Sequence, residues 1–179
     1  MFTLKKFLLI TAAAAVVGIG AALVWTHYQA GNINEAAAQS VNTEAPDITV
    51  TAMDGTEVKL SSLRGKTVFV NFWATWCGPC RMANKAMLPL KEELKGKDIV
   101  YLYITGETSP LKTWENMIPD IHGEHFRLTD AQWSFLGDKF DIRGVPTYLI
   151  IDREGNVKHQ KTGFPGVAQI KEELMKVYD

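Results

Sequence analysis

The sequence contains only two cysteines among its 179 residues, Cys77 and Cys80. No cysteine lies near the amino terminus, which excludes a lipid attached through cysteine at that end. An excess of charge of one sign is also lacking, because 19 basic and 20 acidic residues give a net charge of −1. This balance is not that of a nucleic-acid-binding protein, so we expect no nucleic-acid partner. Internal repeats are absent as well.

Charge is also missing from residues 7–25, a run of 19 residues with no basic or acidic side chain. A helix of this length spans about 28 Å, close to the roughly 30 Å core of a bilayer. Lys5 and Lys6 precede the run, and such a basic flank favours a cytoplasmic amino terminus. A cleaved signal sequence is the alternative, since the alanines at 36–38 would suit cleavage. The sequence therefore predicts four parts: a cytoplasmic end (1–6), a transmembrane anchor (7–25), a tether (26–43) and a domain (44–179) facing the periplasm or the cell exterior.

The two cysteines lie where a predicted strand meets a predicted helix. Residues 67–73 are β-branched and aromatic enough for a buried strand, and residues 81–94 carry apolar side chains at helical spacing. A helix N-terminus carries unpaired N–H groups and partial positive charge, which favours a thiolate at Cys77. Cys80 lies about one turn further on, within reach of a sulfur bound to Cys77. The sequence therefore predicts Cys77 as the nucleophile and Cys80 as the resolving thiol.

Residues beside the cysteines suit contact with a partner. Gly78 lets a partner's backbone come close, and Pro79 suits a first helical turn because its missing N–H would be unpaired there. Trp76 is expected to form an exposed apolar rim where a partner docks. Trp73 is expected to pack under the helix. Other side chains at helical spacing are expected in the core: Trp114, Trp133, Met82 and Met87.

Three other interpretations of the cysteine pair are weaker. A structural disulfide would close so short a loop that it would constrain the unfolded chain very little. Zinc would need His122 and His125, whose spacing is one residue short of the usual range and whose distance from the cysteines is long. An inert pair of core cysteines does not fit a position between strand and helix. We therefore expect redox chemistry and no metal.

The rest of the chain alternates strands and helices. An Asp54-Gly55 turn between alternating segments predicts a β-hairpin over residues 45–60, which we expect to cap one edge of the sheet. The further predicted elements are a helical turn at 61–65, a strand at 99–104, a helix to about 118 with Ser109 as cap and Pro110 at its first position, a strand at 126–128, a helix from a capping Asp130 to Phe140, two strands around a turn at Glu154-Gly155, and a terminal helix at 166–178.

The order strand, helix, strand around the cysteines predicts a right-handed crossover. The strands at 67–73 and 99–104 should then be parallel neighbours whose carboxyl ends share one edge of the sheet. Glu107 follows the second strand and is expected in the same crevice as Cys77. The fold class is thus α/β, with a central mixed sheet flanked by helices.

Two segments together resemble a known family. Trp76-Cys77-Gly78-Pro79-Cys80 after an apolar strand, with Val145-Pro146-Thr147 about 65 residues later, resembles the thioredoxin fold, and more narrowly the TlpA/ResA-like membrane-anchored thiol-disulfide oxidoreductases of the AhpC/TSA and redoxin superfamily. The resemblance implies a cis peptide bond before Pro146 that faces the cysteines. It also implies that the backbone of Val145 pairs with an extended substrate strand.

The sequence departs from that family at two positions. Many thioredoxins have a buried Asp where this chain has Asn71, and ResA-like proteins often have a Glu where it has Ala83. Neither residue present can accept a proton, although Cys80 must lose one before it attacks a mixed disulfide. Glu107 is the candidate proton acceptor, with a solvated loop glutamate as the alternative.

The resemblance implies thiol-disulfide exchange with exported proteins that contain cysteine, including apocytochromes, and no cofactor. The Gly-Pro dipeptide resembles that of thioredoxin and favours a reductant, which would need a membrane electron donor. The alternatives are a disulfide oxidant or isomerase, a tethered binding module without turnover, and a thiol peroxidase. Peroxiredoxins place Thr three residues before their nucleophile, whereas Thr75 is two residues before Cys77.

Overall fold

A six-stranded sheet forms the centre of the structure, a computed structural model that describes residues 43–45, 47, 49–51 and 57–179. The strands are β1 (Thr43–Glu44), β2 (Thr49–Thr51), β3 (Glu57–Lys59), β4 (Thr67–Phe72), β5 (Ile99–Gly106), β6 (Glu124–Leu128), β7 (Thr147–Ile151) and β8 (Asn156–Thr162). The helices are α1 (Gly78–Ala86), α2 (Leu88–Glu93), α3 (Leu111–Met117), α4 (Asp130–Lys139) and α5 (Val167–Tyr178), with short 3-10 turns at Leu60–Leu63 and Ile118–Asp120.

The order of strands in the sheet is β1-β8-β7-β4-β5-β6. Strand β4 is parallel to β5 and antiparallel to β7, and Asn71 lies between Tyr103 and Tyr148 in that register. Strand β6 continues the parallel part, and β8 and β1 continue the antiparallel part. The predicted parallel crossover and the central mixed sheet are therefore confirmed. The predicted turn before β8 is confirmed too, with Gly155 at a φ of 93° that favours glycine.

Strand β4 is buried over its whole length, and successive side chains point to opposite faces of the sheet. Val70 and Phe72 face a core closed by Leu136 and Phe140 of α4. Phe69 faces the opposite core, closed by helices α1, α2 and α5. Both faces of the sheet are therefore covered, as the uninterrupted apolar run in this strand predicts.

The amino-terminal hairpin pairs as expected and lies beside the edge strand β6, but it also covers part of a sheet face. Val50 of β2 lies opposite Val58 of β3, in a separate two-stranded sheet. Both side chains pack against the core on the α4 side. The hairpin thus covers a face of the central sheet as well as lying at its β6 edge, because the apolar side of so short a ribbon needs a packing surface.

The predicted single helix over 81–94 is two helices. Helix α1 ends at Ala86, and α2 begins at Leu88 with Pro89 in its first turn. Pro89 has no N–H to donate to the preceding turn, and its ring disfavours a helical residue before it. The core assignment of Met82 was also wrong, because 69 % of this residue is exposed. Helical spacing alone did not locate the edge of the buried face.

Two predicted helix caps were also wrong. Ser109 does not cap α3, whose cap position is Pro110. Its hydroxyl instead accepts a hydrogen bond from the N–H of Thr75. Helix α4 is capped by Thr129 and not by Asp130, because Thr129 and Gln132 form a reciprocal capping box. The core assignments of Trp73, Trp114 and Met87 are confirmed, and Trp133 is half-buried.

No helix among residues 43–45, 47, 49–51 and 57–179 is long and apolar enough to cross a membrane. The predicted anchor at 7–25 lies outside these described residues, as do the end at 1–6 and the tether up to residue 42.

Lys91 is a buried lysine on the side of α2 that faces the sheet. It is 7 % exposed, and its ammonium lies 4.3 Å from the ring centre of Tyr103 and 5.2 Å from that of Tyr101. The ammonium also donates to the carbonyl oxygen of His122. Burial disfavours the charged form and lowers the pKa of Lys91 from 10.5 to about 8.

We predict that Lys91→Met changes how the free energy of unfolding depends on pH. Because the folded pKa lies below the unfolded one, the cost of burying the charge is fully present below pH 8 and is lost as the pH rises towards 10.5. Between pH 7 and 9.5 the free energy of unfolding of the wild type should therefore rise by about 1–2 kcal/mol relative to that of the variant. Urea unfolding of the oxidised protein at both pH values measures this.

Lys112→Met is the matched control, since Lys112 is exposed on α3. Its stability relative to the wild type should be the same at both pH values. A Lys91→Met difference that does not change with pH would contradict the buried-cation account.

Candidate active site

Cys77 lies at the junction between β4 and α1. It is the N-cap residue of α1, and its Sγ accepts a hydrogen bond from the N–H of Cys80 at 3.1 Å. A helix N-terminus adds the partial positive charge of its unpaired N–H groups. The helix end therefore supports negative charge on the sulfur of Cys77.

Cys77 and Cys80 are joined by a disulfide, with their Cα atoms 5.3 Å apart. Cys77 is 5 % exposed, whereas Cys80 is fully buried. Of the two cysteines, Cys77 therefore has the exposed surface that an incoming thiolate could approach. The structure brings the two sequence-predicted cysteines together in the order that nucleophile and resolving thiol require.

The Val145–Pro146 segment closes one side of the pair. The peptide bond between these residues is cis, as the resemblance implied. The carbonyl oxygen of Val145 lies 3.7 Å from Cys77 Sγ. Thr147 fixes this bend, because its hydroxyl donates to the carbonyl of Gly144 at 2.7 Å. The segment thus presents main-chain groups beside the reactive sulfur.

A buried hydroxyl pair holds the loop that leads to Cys77. The N–H of Thr75 donates to Ser109 Oγ at 3.1 Å, and Ser109 Oγ lies 2.7 Å from Thr105 Oγ1. Thr105 and Ser109 are fully buried. Strand β5 and the turn after it therefore position the cysteine loop from the neighbouring strand. Sequence reasoning missed this role because a Ser before Pro also fits a helix cap.

Apolar side chains enclose the disulfide from below and leave an opening above it. Trp73, Tyr103 and Trp114 are fully buried in the cluster that contains both cysteines. Trp76 is 63 % exposed, as expected for a rim, and Pro79 is exposed beside it. A side chain added at Gly78 would meet no atom within 4 Å, so the backbone there is open to an approaching chain.

Among residues 57–179 no carboxylate takes the place of the two missing acids near helix α1. Asn71 and Ala83 are both buried, and Asn71 Nδ2 donates to Oδ1 of buried Asn84 at 2.8 Å. Asn71 Oδ1 and Asn84 Nδ2 have no partner among the described residues. An amide neither accepts nor releases a proton near neutral pH. The sequence analysis did not identify Asn84. An Asn on the buried side of a helix indicates a polar partner nearby, because buried polar groups need hydrogen bonds.

Glu107 is exposed and follows β5 in the chain. Its side chain lies beside the first residue of α4. Its carboxylate accepts a hydrogen bond from the N–H of Asp130 at 3.1 Å, and its carbonyl accepts one from Arg127. Among the described residues, Glu107 forms no hydrogen bond with Cys77 or Cys80. The contacts found for Glu107 are thus those of an acid at a helix N-terminus.

The two histidines considered as zinc ligands have other partners. His125 stacks on Tyr103, and its Nε2 lies 2.6 Å from the carbonyl oxygen of Ile121. Burial lowers the pKa of His125 below its ordinary value. His122 Nδ1 lies 3.9 Å from Glu92. Among the described residues no group of three or more His, Cys, Asp or Glu is arranged to hold a metal ion.

Comparison with known proteins assigns the chain to a family. The Redoxin family model matches residues 40–174. The thiol-disulfide oxidoreductase ResA of Geobacillus kaustophilus is 32 % identical over 164 residues, which are 89 % of this chain and 90 % of that protein. ResA of Bacillus anthracis is 28 % identical over 176 residues, or 97 % and 99 % of the two chains.

The fold has close structural counterparts. A thiol:disulfide interchange protein of the thioredoxin family from Chlorobium tepidum superposes with a TM-score of 0.68 at 26 % identity, over 79 % of this chain and 99 % of that one. The thioredoxin domain of a thiol-disulfide oxidoreductase from Bacteroides vulgatus gives 0.68 at 21 % identity, which bears on the fold alone. The predicted thioredoxin-like fold is therefore confirmed for the described residues. With the buried Cys77–Cys80 disulfide at the start of α1, the chain belongs to the Redoxin family and is a ResA-like thiol-disulfide oxidoreductase.

Proposed function

We propose that this protein reduces disulfides in exported proteins, with Cys77 as the nucleophile and Cys80 as the resolving thiol. The observation that carries the proposal is the asymmetry of the pair. Cys77 Sγ lies at the N-terminus of α1 and accepts the Cys80 N–H at 3.1 Å, while Cys80 is fully buried. The Gly78-Pro79 dipeptide, which resembles that of thioredoxin, supports the reducing direction.

The reaction has two exchange steps. The Cys77 thiolate attacks one sulfur of the client disulfide, which breaks that S–S bond, forms a mixed disulfide and releases the other client sulfur as a thiolate. Cys80 then loses its proton and attacks Cys77 Sγ, so the second client thiolate leaves. Two electrons have moved to the client, and Cys77–Cys80 is oxidised. A membrane electron donor returns two electrons and two protons.

The client binds as an extended strand across the open side of the site. Main-chain groups of Val145, beside the cis Pro146, pair with the client backbone, which gives affinity with little demand on sequence. Trp76 and Pro79 contact the client at the exposed rim, and Gly78 lets its backbone come close. Substrate recognition of this kind suits a protein with several cysteine-containing clients, apocytochromes among them.

The proposal also includes the location of the enzyme. Residues 7–25 anchor the chain in the cytoplasmic membrane, residues 26–43 act as a tether, and the domain at 44–179 faces the periplasm or the cell exterior. The uncharged 19-residue run after Lys5 and Lys6 supports this arrangement. Disulfides form and persist in such compartments, so a reductant there would have substrates.

We predict that most of the protein in growing cells carries Cys77 and Cys80 as thiols, because a reductant is kept reduced by its donor. Acid quenching followed by alkylation with a mass tag measures the reduced fraction. Samples reduced or fully oxidised before alkylation define the two ends of the scale.

The matched variant Cys80→Ser cannot resolve mixed disulfides, so it should accumulate exported proteins bound through Cys77. A wild-type pool that is mostly oxidised would show instead that the protein is an oxidant or an isomerase.

We further propose Glu107 as the proton acceptor for Cys80, since it follows β5 at the sheet edge shared with Cys77. Glu107→Gln keeps an oxygen that can accept from the N–H of Asp130 but removes the base. We expect resolution of the mixed disulfide at neutral pH to slow about a hundredfold, the low end for general-base catalysis. Stopped-flow measurement of client thiol release tests this.

Glu124→Gln is the control, because Glu124 is exposed at the opposite end of β6. An unchanged rate in Glu107→Gln would show that Glu107 is not the proton acceptor and serves only in its contact with the start of α4.

A further inference from the structure

A cleft of about 530 Å³ opens beside helix α1, separate from the cysteines and from Val145–Pro146. One wall comes from α1 and α2, and the other comes from residues 116–122, which form the end of α3 and part of its connection to β6. Leu88, Met117 and Ile121 provide apolar lining. The volume is that of a site for a side chain or a small ligand.

Asn84 forms part of the wall of this cleft, and its unpaired Nδ2 is itself buried. The residue is 3 % exposed. Its Oδ1 accepts from Asn71, whereas its Nδ2 has no acceptor among the described residues. The polar contacts that the cleft offers to an occupant are therefore those of its exposed rim.

The rim of the cleft is positively charged. Arg81 and Lys85 line it one helical turn apart, both exposed, and neither forms an ion pair with another described residue. Asp120 is the only acidic residue in the lining, and His122 beside it lies 3.9 Å from Glu92. Two permanent positive charges against one negative charge favour a carboxylate.

We propose that this cleft binds a glutamate or aspartate side chain of the client while the client's disulfide is exchanged at Cys77, an inference that rests on the proposed function. The position of the cleft supports a client over a free small molecule, because α1 carries both the cysteine pair and the cleft residues. Lys85 lies about 12 Å along the helix from Cys77, which an extended chain covers in about four residues. The acidic residue should therefore lie three to five positions from the client's cysteine.

The test uses the reduced full-length chain and blocked peptides with one cysteine in a mixed disulfide with β-mercaptoethanol. Each peptide carries one glutamate, placed one to six positions from the cysteine, and is compared with its glutamine counterpart. In single-turnover reactions with excess peptide, glutamate at three to five positions should lower the peptide concentration that gives half the maximal rate about fivefold, with little change in the maximal rate, as expected for charge-assisted hydrogen bonds at a partly open site. The preference should disappear in Lys85→Gln.

Two further variants sharpen the test. Arg81→Gln removes the other positive charge of the rim and should also weaken the preference. Lys66→Gln makes the same charge change at an exposed site just before β4, outside the cleft, and should retain the preference. Since Arg81, Lys85 and Lys66 are all exposed, none of these variants should disturb the fold.

Each outcome bears on a separate claim. Turnover without a glutamate preference at any position, or a preference unchanged in Lys85→Gln, overturns the inference and leaves the proposed function standing. Free glutarate that competes as strongly as the peptide glutamate would make the cleft a small-carboxylate site and overturn the client assignment. Absence of turnover with every peptide contradicts the proposed function, and the inference falls with it.

Discussion

The active site depends on one interaction, the contact between the sulfur of Cys77 and the N-terminus of α1. The sulfur occupies the cap position and accepts the N–H of Cys80, so the helix end that would otherwise need a capping oxygen stabilises a reactive thiolate. Strand β4 delivers the chain to this point and is buried throughout. The Thr75–Ser109 hydrogen bond and the cis Val145–Pro146 bond hold the loop from both sides.

The polar groups beneath the helix differ from those expected of the family. Asn71 lies between Tyr103 and Tyr148 across three strands and bonds to Asn84 above it. Burial raises the pKa values of both tyrosines, so their hydroxyl groups stay protonated and do not act as bases. None of these side chains can take the proton of Cys80 near neutral pH. Another base or water must accept it, and Glu107 is the base that we propose.

Local patterns in the sequence predicted most of the site. The Cys-x-x-Cys between strand and helix, the Val-Pro-Thr segment and the exposed Trp76 could each be inferred, because their chemistry depends on neighbouring residues. The failures depended on distant partners. Ser109 supports Thr75 from 34 positions away, and Met82 points to solvent although its spacing fits the core. The hairpin's packing on a sheet face and the cleft between α1 and residues 116–122 likewise arise only when separate elements meet.

The most direct test of this account is the relative reactivity of the two thiols. The reduced full-length chain is alkylated with limiting iodoacetamide at pH 7, and fragmentation of the peptide that contains both cysteines gives the modified fraction of each. The account predicts that Cys77 reacts at least about tenfold faster than Cys80, because only Cys77 combines an opening to solvent with the helix N-terminus, and that the two react alike in denaturant. Equal rates in the folded protein, or faster modification of Cys80, would contradict it.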